Sequence, residues 1–295
     1  MCTQPRIEKE APMSPKPLIG MTPPPRVSPD IARSWLLVSA ARPQHFDEAA
    51  ESRADQIVLD LEDAVDPSLK ASARDFVVHW LHQKGEAWVR INDCTSEFWS
   101  DDVDALAHAP GLLGVVLAKT ESAEHVSETF SRVNAPVVAL VESALGIEES
   151  TTIARAKGAF RLAFGSGDYR RDTGTSADPL AMAYPRSRLV VASRVGGLPG
   201  PIDGPTVGNG HPVLREQGGL AVALGMTGKL CLDRGQLAII NEVISPTPSD
   251  VAWARAFLAD HENRGGTIRD GSDPPRLGRA TKIDQLARAF GVEPA

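Results

Sequence analysis

The chain has 295 residues, of which 42% are hydrophobic, and a formal net charge of −7. This length is sufficient for one large core, and α/β barrels of this size commonly form a single domain. The acidic balance and the lack of a Lys- or Arg-rich run argue against a nucleic-acid-binding surface. Cys2, Cys94 and Cys231 are far apart and form no CxxC pair, so we interpret them as reduced thiols rather than as a zinc or redox site.

The first 30 residues are rich in proline and lack the apolar core of about 7–15 residues that a signal peptide needs. We expect residues 1–30 to form a flexible, disordered arm. The sequence contains no run approaching the roughly 18 apolar residues of a membrane span. We therefore expect a soluble, cytoplasmic protein.

From residue 34 onward, short β-rich runs alternate with stretches long enough for a helix, the pattern of βα units around a parallel sheet. Eight such runs predict a (β/α)₈ TIM barrel over residues 31–262, followed by a C-terminal helical extension at 263–295. The helix in PSDVAWARAFLADHE is expected to complete the eighth unit. The seventh run is weak because it has two prolines and two glycines. The predicted strands are SWLLVSA, QIVLDLE, AWVRIN, GVVLAKT, APVVALVES, FRLAFGSGD, GPIDGP and GKLCLD.

Charged residues recur where the predicted strands end. Asp60 and Glu62 share one face of the second strand, whereas Leu59 and Leu61 face the helices. A single acid at a strand end often only caps a helix or pairs with an arginine, but the ends of parallel barrel strands meet at one mouth. We therefore expect these charged groups to converge there. The residues that end strands three to six are Arg90, Lys119, Glu142 and Asp168.

Glu142 and Asp168 follow consecutive strands, which would bring two hard oxygen ligands side by side. Unpaired carboxylates crowded at a barrel mouth would repel each other, so we interpret this pair as a Mg²⁺ site. Asp60 and Glu62 are expected to lie around this site, where they would hold metal-bound waters or orient Arg90.

Lys119 has two interpretations. It is expected to form an ion pair with neighbouring acids such as Glu142, which would keep it protonated. The alternative is the Schiff-base lysine of a metal-free aldolase, provided that desolvation lowers its pKa. Asp203, in PIDGP, is also expected near the mouth, although Asp-Gly is a common turn pair.

Five motifs occur in an order and spacing that resemble one known family. VLDLEDAVDPSLKASAR, VRIN, LAKTES, LVESALG and FGSGD are similar to the citrate lyase β-subunit-like branch of the HpcH/HpaI aldolase superfamily, over roughly residues 34–280. The resemblance implies a homotrimeric TIM barrel that uses Mg²⁺, with Mn²⁺ as an alternative ion. It also implies cleavage or formation of a carbon–carbon bond next to a coenzyme A thioester, such as malyl-CoA or citramalyl-CoA, with an acyl-CoA and a 2-oxo acid as products.

The resemblance assigns roles to individual residues. Glu142 and Asp168 match the metal ligands, and Arg90 matches the catalytic arginine that faces the substrate. Asp273 fits the spacing Asp-x-Pro-x₄-Ala, whose aspartate reaches a neighbouring subunit's site as acid or base; Asp270 is the alternative. The further substrate-binding candidates are Arg42, at the first loop, and the backbone amides of Gly165, Ser166 and Gly167.

Three departures from the family pattern suggest a divergent subgroup. Residues 38–40, Val-Ser-Ala, replace a Pro-Gly-Ser loop, and Ala118 replaces the proline before Lys119. Asp233 and Arg234 replace the His-Pro pair in Gly-Lys-x-x-Ile-His-Pro-x-Gln. These changes indicate an altered acyl donor. They are also compatible with an alternative function, in which the chain is a non-catalytic subunit of a lyase complex that binds a thioester but does not cleave it.

Overall fold

Eight parallel strands form a closed barrel, in which each strand pairs with the next and the last pairs with the first. The computed structural model describes residues 26–83 and 85–295, so most of the arm expected at residues 1–30 lies outside the described residues. The eight predicted strands are confirmed, including the seventh, which is only two residues long. The strands are β1 (Ser34–Ser39), β2 (Gln56–Asp60), β3 (Ala87–Ile91), β4 (Leu112–Leu117), β5 (Val137–Val141), β6 (Ala159–Phe164), β7 (Ile202–Asp203) and β8 (Gly228–Cys231).

Helices connect the strands and cover the outside of the barrel. Short 3₁₀ turns at Pro43–His45, Pro67–Leu69 and Arg234–Gln236 lead into three of them. Asp66 caps the second turn by accepting from the Ser68 amide at 2.9 Å, as its position before a proline predicts. The helices are α1 (Phe46–Ala50), α2 (Lys70–His82), α3 (Trp99–Leu106), α4 (Ala123–Val133), α5 (Ala144–Ala154), α6 (Ser166–Thr173), α7 (Ala183–Gly196), α8 (His211–Ala223), α9 (Leu237–Ile244), α10 (Pro248–Asn263) and α11 (Asp273–Phe290).

Alternating strand residues divide the core into two layers. Leu59 and Leu61 pack outward against the helices, as predicted. Inside the barrel, the Trp88 ring centroid lies 5.2 Å from that of Trp35 and 5.4 Å from that of Phe160. These aromatic side chains fill the interior, so the barrel is a packed core rather than a pore.

Arg161 fills the N-terminal end of the barrel. It is fully buried, and its Nε donates to the Gly200 carbonyl at 2.9 Å. Its Nη1 donates to the carbonyls of Pro29 and Ala32 at 2.9 and 3.0 Å, and its Nη2 to Thr227 Oγ1 at 3.0 Å. Burial lowers the pKa of Arg161 to about 9. Its four partners all precede strands, so this side chain ties together the end of the barrel opposite the mouth.

The last three helices differ from the expected arrangement. α9 directly follows β8 and packs against β8 and β1, so it completes the eighth βα unit. The expectation that α10 fills this position is wrong. α10 instead forms an antiparallel pair with α11, so the helical extension begins before residue 263. None of the described helices combines the length and apolarity that crossing a membrane requires.

Candidate active site

A carboxylate–guanidinium cluster lies at the C-terminal ends of β2 and β3. Arg90 donates from Nε and Nη2 to the two oxygens of Asp60, at 2.7 and 2.5 Å. Its Nη1 lies 3.2 Å from Glu62 Oε2. Asp60 and Glu62 therefore share one face and together orient Arg90, as predicted. Burial alone would lower the pKa of Arg90, but the charges of these two acids raise it overall, so the guanidinium stays charged.

Lys119 contacts this cluster from the end of β4. Its ammonium group hydrogen-bonds Glu62 Oε1 and lies 3.6 Å from Asp63 Oδ1. Burial lowers the pKa of Lys119, but the hydrogen bond to Glu62 and the nearby acids raise it more. The predicted ion pair is confirmed, but the acids that contact the Lys119 ammonium group are Glu62 and Asp63. Glu142 contacts Lys119 through the backbone instead: the Lys119 amide donates to Glu142 Oε1 at 2.8 Å.

Glu142 follows β5 and is only 4% exposed. Burial raises the pKa of its carboxyl group to about 8, and the charges of Glu62 and Asp168 add to this effect. The backbone of Gly165 lies close enough that a Cβ there would be 2.1 Å from Glu142 Oε2. The absent side chain of Gly165 therefore makes room for this carboxylate, a role that the sequence analysis did not identify.

Asp168 lies in the first turn of α6, directly after β6. Its side chain is 24% exposed and contacts Arg171 at 2.8 Å. The Gly165 amide donates to the Val141 carbonyl at 3.0 Å, so its expected role in binding a substrate carboxylate is wrong. Ser166 and Gly167 lie in the first turn of α6, where amides have no partner within the helix. They remain candidates for that role.

The pair Glu142 and Asp168 fits a divalent cation. Burial raises the pKa of Glu142, and the charges of Glu62 and Asp168 add to this effect; a bound cation would offset the cost of ionising such a group. Gly165 provides the space in which Glu142 lies. Within residues 26–83 and 85–295, no group of three or more His, Cys, Asp or Glu side chains is placed to hold a metal ion. A cation here would therefore have two protein ligands and open positions for water and substrate.

A cavity of about 570 Å³ opens beside Arg90 on the β1 and β8 side of the mouth. Arg42 lies exposed on its wall, while Arg234 pairs with Glu48 across it at 3.0 Å. Six apolar residues of β1, α1 and neighbouring loops alternate on the wall with further polar residues, among them Asp60, Asp63 and Asp233, so the cavity suits an amphipathic ligand arm. The six apolar residues are Leu36, Leu37, Val38, Ala49, Ala64 and Leu232.

Two supporting residues escaped the sequence analysis. The Lys70 ammonium donates to the carbonyls of Leu61 and Glu62, at 2.8 and 2.9 Å. The Asn92 side chain donates to the Leu61 carbonyl at 3.3 Å and to Asp102 at 2.6 Å. These bonds fix the backbone from which Glu62 projects. Of these two residues, only Asn92 could have been identified from the sequence, because it lies two residues after Arg90 and alternation places both on the same face.

Asp203 does not reach the mouth, so that expectation is wrong. Its carboxylate is fully buried between the barrel and α7, where it accepts from Arg186 at 2.7 Å and from Lys229 at 2.8 Å. Burial alone would raise the pKa of Asp203, but these two cations lower it overall. Asp203 therefore supports the outer layer of the barrel.

Asp273 begins α11 and is 2% exposed. It accepts from the Arg269 amide at 2.8 Å and from the Arg269 guanidinium at 3.1 Å. The Arg269 hydrogen bonds lower the pKa of Asp273 to about 2. Asp270, by contrast, is exposed in the preceding loop.

Comparison with known proteins identifies the family. The HpcH/HpaI aldolase/citrate lyase model matches residues 33–233, and the HpcH/HpaI aldolase C-terminal domain model matches residues 249–291. The chain therefore belongs to the HpcH/HpaI aldolase/citrate lyase family. The second match covers most of α10 and α11, which agrees with the structural boundary after α9.

Relatives of known name match over most of their length. A citrate lyase subunit beta-like protein of Deinococcus radiodurans is 30% identical, over 86% of this chain and 97% of that protein. An L-malyl-CoA/beta-methylmalyl-CoA lyase of Cereibacter sphaeroides is 30% identical, over 85% of this chain and 92% of that protein. Among solved structures, CitE of Mycobacterium tuberculosis in complex with magnesium, acetoacetate and coenzyme A is 28% identical with a TM-score of 0.74, over 89% of this chain and 99% of that chain.

Proposed function

We propose that this chain is a Mg²⁺-dependent carbon–carbon lyase that cleaves or forms a 3-hydroxyacyl thioester of coenzyme A. The observation that carries the proposal is the buried Glu142 carboxyl group, whose pKa is raised by burial and by the charges of Glu62 and Asp168 and is opposed by that of Arg90. The relatives named as malyl-CoA lyase and as magnesium- and coenzyme A-bound CitE support the same class of reaction. Substrates of the malyl-CoA or citramalyl-CoA type would yield an acyl-CoA and a 2-oxo acid.

Cleavage requires three events at the substrate. The hydroxyl group loses its proton, the carbon–carbon bond breaks, and the bonding electron pair moves onto the thioester as an enolate. Protonation of the enolate carbon then completes the acyl thioester, while the hydroxyl carbon becomes the carbonyl of the 2-oxo acid. Mg²⁺ held by Glu142 and Asp168 would supply positive charge for the oxygens of the 2-oxo acid portion.

The protein's own residues would position the substrate and stabilise the developing charge. Asp60 and Glu62 hold the guanidinium of Arg90 in place before the reaction, which is the preorganisation that charge stabilisation needs. The first-turn amides of Ser166 and Gly167 would bind the substrate carboxylate. We place the thioester arm in the cavity beside Arg90, with Arg42 at its rim.

The proposal is tested with purified protein, Mg²⁺ and a panel of 3-hydroxyacyl-CoA compounds. We expect an acyl-CoA and a 2-oxo acid in equal amounts from at least one of them. Free coenzyme A in place of the acyl-CoA would show that hydrolysis follows cleavage. No cleavage of any compound by the isolated chain would instead support the thioester-binding subunit of a lyase complex.

Lys119 is the basis of the rival mechanism, a metal-free Schiff-base aldolase. Its raised pKa opposes that mechanism because a protonated amine is not a nucleophile. Borohydride treatment during turnover should therefore leave Lys119 unmodified. EDTA should abolish activity, and added Mg²⁺ or Mn²⁺ should restore it. A covalent adduct on Lys119, together with full activity in EDTA, would favour the rival.

The shared-site role of Asp273 stays a proposal, together with the homotrimer that it requires. Hydrogen bonds from Arg269 hold the Asp273 carboxylate ionised and lower its pKa to about 2, so Asp273 would have to leave Arg269 to serve as an acid or base in a neighbouring site. Mixing inactive Asp273→Ala subunits with inactive Glu142→Ala subunits should restore part of the activity, since some hybrid sites would be intact. No recovery after proven subunit exchange would contradict a shared site, and Asp270→Asn would test the exposed alternative.

A further inference from the structure

Lys119 has a backbone conformation that few side chains adopt. Its φ is +46°, and among the described residues only one other non-glycine residue, Asn134, has a positive φ. Asn134 has a local explanation, because it caps the C-terminus of α4 and its amide donates to the Phe130 carbonyl. Lys119 ends no helix. A strained residue at a candidate site suggests that its conformation serves the site.

The strained conformation lets one residue contact both acids of the site. The Lys119 amide points at Glu142, with 2.8 Å between the nitrogen and Oε1. The side chain leaves in another direction and reaches Glu62 and Asp63. Glu62 in turn contacts Arg90 through its other oxygen, at 3.2 Å. A continuous set of contacts therefore joins Glu142 to Arg90 through Lys119.

Glycine at this position would remove the steric cost of the positive φ, yet the chain has lysine. Packing does not explain the choice, since the Lys119 side chain remains 35% exposed. Only the ammonium group distinguishes lysine from glycine in its contacts with the site. The strain is therefore accompanied by a specific charge contact with Glu62.

We propose that Lys119 is a positioning residue, held in a left-handed conformation so that its amide orients Glu142 while its ammonium group, through Glu62, orients Arg90. This inference rests on the proposed function only for the role of Arg90. The orientation of Glu142 concerns metal binding and has a separate readout.

Two substitutions separate the backbone from the side chain. Lys119→Gly and Lys119→Ala both lose the ammonium group, but only glycine adopts the positive φ without steric cost. We expect Lys119→Gly to melt about 2–4 °C above Lys119→Ala. By calorimetry, Lys119→Gly should bind Mg²⁺ with nearly the wild-type Kd. Lys119→Ala should bind it about fivefold more weakly, or about 1 kcal/mol at 1.4 kcal/mol per tenfold.

Asn134→Gly is the matched control, because it relieves the other positive φ just before β5 begins, at the end of the barrel opposite the mouth. It should raise the melting temperature without changing the Kd for Mg²⁺ or kcat. Equal Mg²⁺ affinity in Lys119→Gly and Lys119→Ala would overturn the backbone part of the proposal. These binding and melting measurements do not depend on the lyase reaction, so they remain decisive if the proposed function fails.

Activity tests the connection to Arg90. We expect both Lys119 variants to lower kcat by about 10- to 100-fold, with Lys119→Arg retaining more activity because it keeps the positive charge. If Lys119 acts through Arg90, adding Lys119→Gly to Arg90→Lys should cost far less than it does in the wild type. Fully additive losses, or a wild-type kcat in Lys119→Gly, would contradict the proposed role of the ammonium group.

Discussion

Replacing Glu142 by glutamine tests the charge at the centre of the site. The substitution keeps the shape of the side chain and an oxygen that can accept from the Lys119 amide, but it removes the ionisable group. Burial raises the pKa of Glu142 from 4.5 to about 8. The difference between these two pKa values means that ionising Glu142 costs on the order of 5 kcal/mol more in the metal-free fold than in the unfolded chain.

This cost has a defined pH dependence. Between pH 4.5 and about 8 the folded protein keeps the Glu142 proton while the unfolded chain loses it, so the free energy of unfolding falls as the pH rises. From this group alone, the loss is about 1.4 kcal/mol per pH unit, or roughly 3 kcal/mol by pH 7. The Glu142→Gln variant escapes this loss, so without metal its stability advantage over the wild type should grow from pH 5.5 to about pH 8 and level off above that pH.

Urea unfolding, followed by tryptophan fluorescence with and without Mg²⁺, measures both effects. Mg²⁺ at 100 times its Kd should stabilise the wild type by about 2.7 kcal/mol at pH 8 and the Glu142→Gln variant far less. Glu216→Gln, an exposed site on α8, is the matched control. A stability difference between the wild type and Glu142→Gln that does not change with pH would refute the raised pKa of a buried, metal-free Glu142. Equal stabilisation of both proteins by Mg²⁺ would refute its role as a ligand.

Three further substitutions test separate parts of the account. Arg90→Lys should lower kcat/KM on the order of 10²-fold because lysine lacks the fork that Asp60 and Glu62 hold; an unchanged value would make Arg90 structural. Gly165→Ala should weaken Mg²⁺ binding about tenfold or more, because the new Cβ would lie 2.1 Å from Glu142 Oε2. Gly219→Ala is its control and should leave Mg²⁺ binding unchanged, because a Cβ at Gly219 would have no neighbouring atom within 4 Å. Arg161→Met should lower the free energy of unfolding by about 3–5 kcal/mol, because three carbonyls and the Thr227 hydroxyl around the buried guanidinium lose their donor. A loss below about 1 kcal/mol in urea titrations would show that water or local movement replaces those bonds.

The predictions that succeeded depended on the regular geometry of parallel strands. The ends of such strands meet at one edge, so the alternation in β2 correctly placed Asp60 and Glu62 beside Arg90. The positions of Glu142 and Asp168 after consecutive strands suggested a metal site, and the family resemblance supported it; the metal itself stays a prediction.

The errors occurred where that geometry is interrupted. β7 has only two residues, which leaves too little alternation to show that Asp203 faces outward. Lys119 was expected to contact Glu142 through its side chain, but its positive φ turns the amide toward Glu142 instead. Arg161 received no role from the sequence: alternation along β6 places it on the same inward face as Ala163, but it does not show that the guanidinium bonds to segments that precede β1, β7 and β8.

The most direct test of the proposed metal site is calorimetric titration of pyruvate, a 2-oxo acid, into the wild type and into Glu142→Gln and Asp168→Asn variants. Mg²⁺ held by both carboxylates would have open positions for the ligand's oxygens, so the wild type should bind pyruvate with Mg²⁺ present and not in EDTA. Both variants should lose this metal-dependent binding while their circular dichroism stays unchanged. Pyruvate binding by the wild type that is equally tight in EDTA would contradict the account.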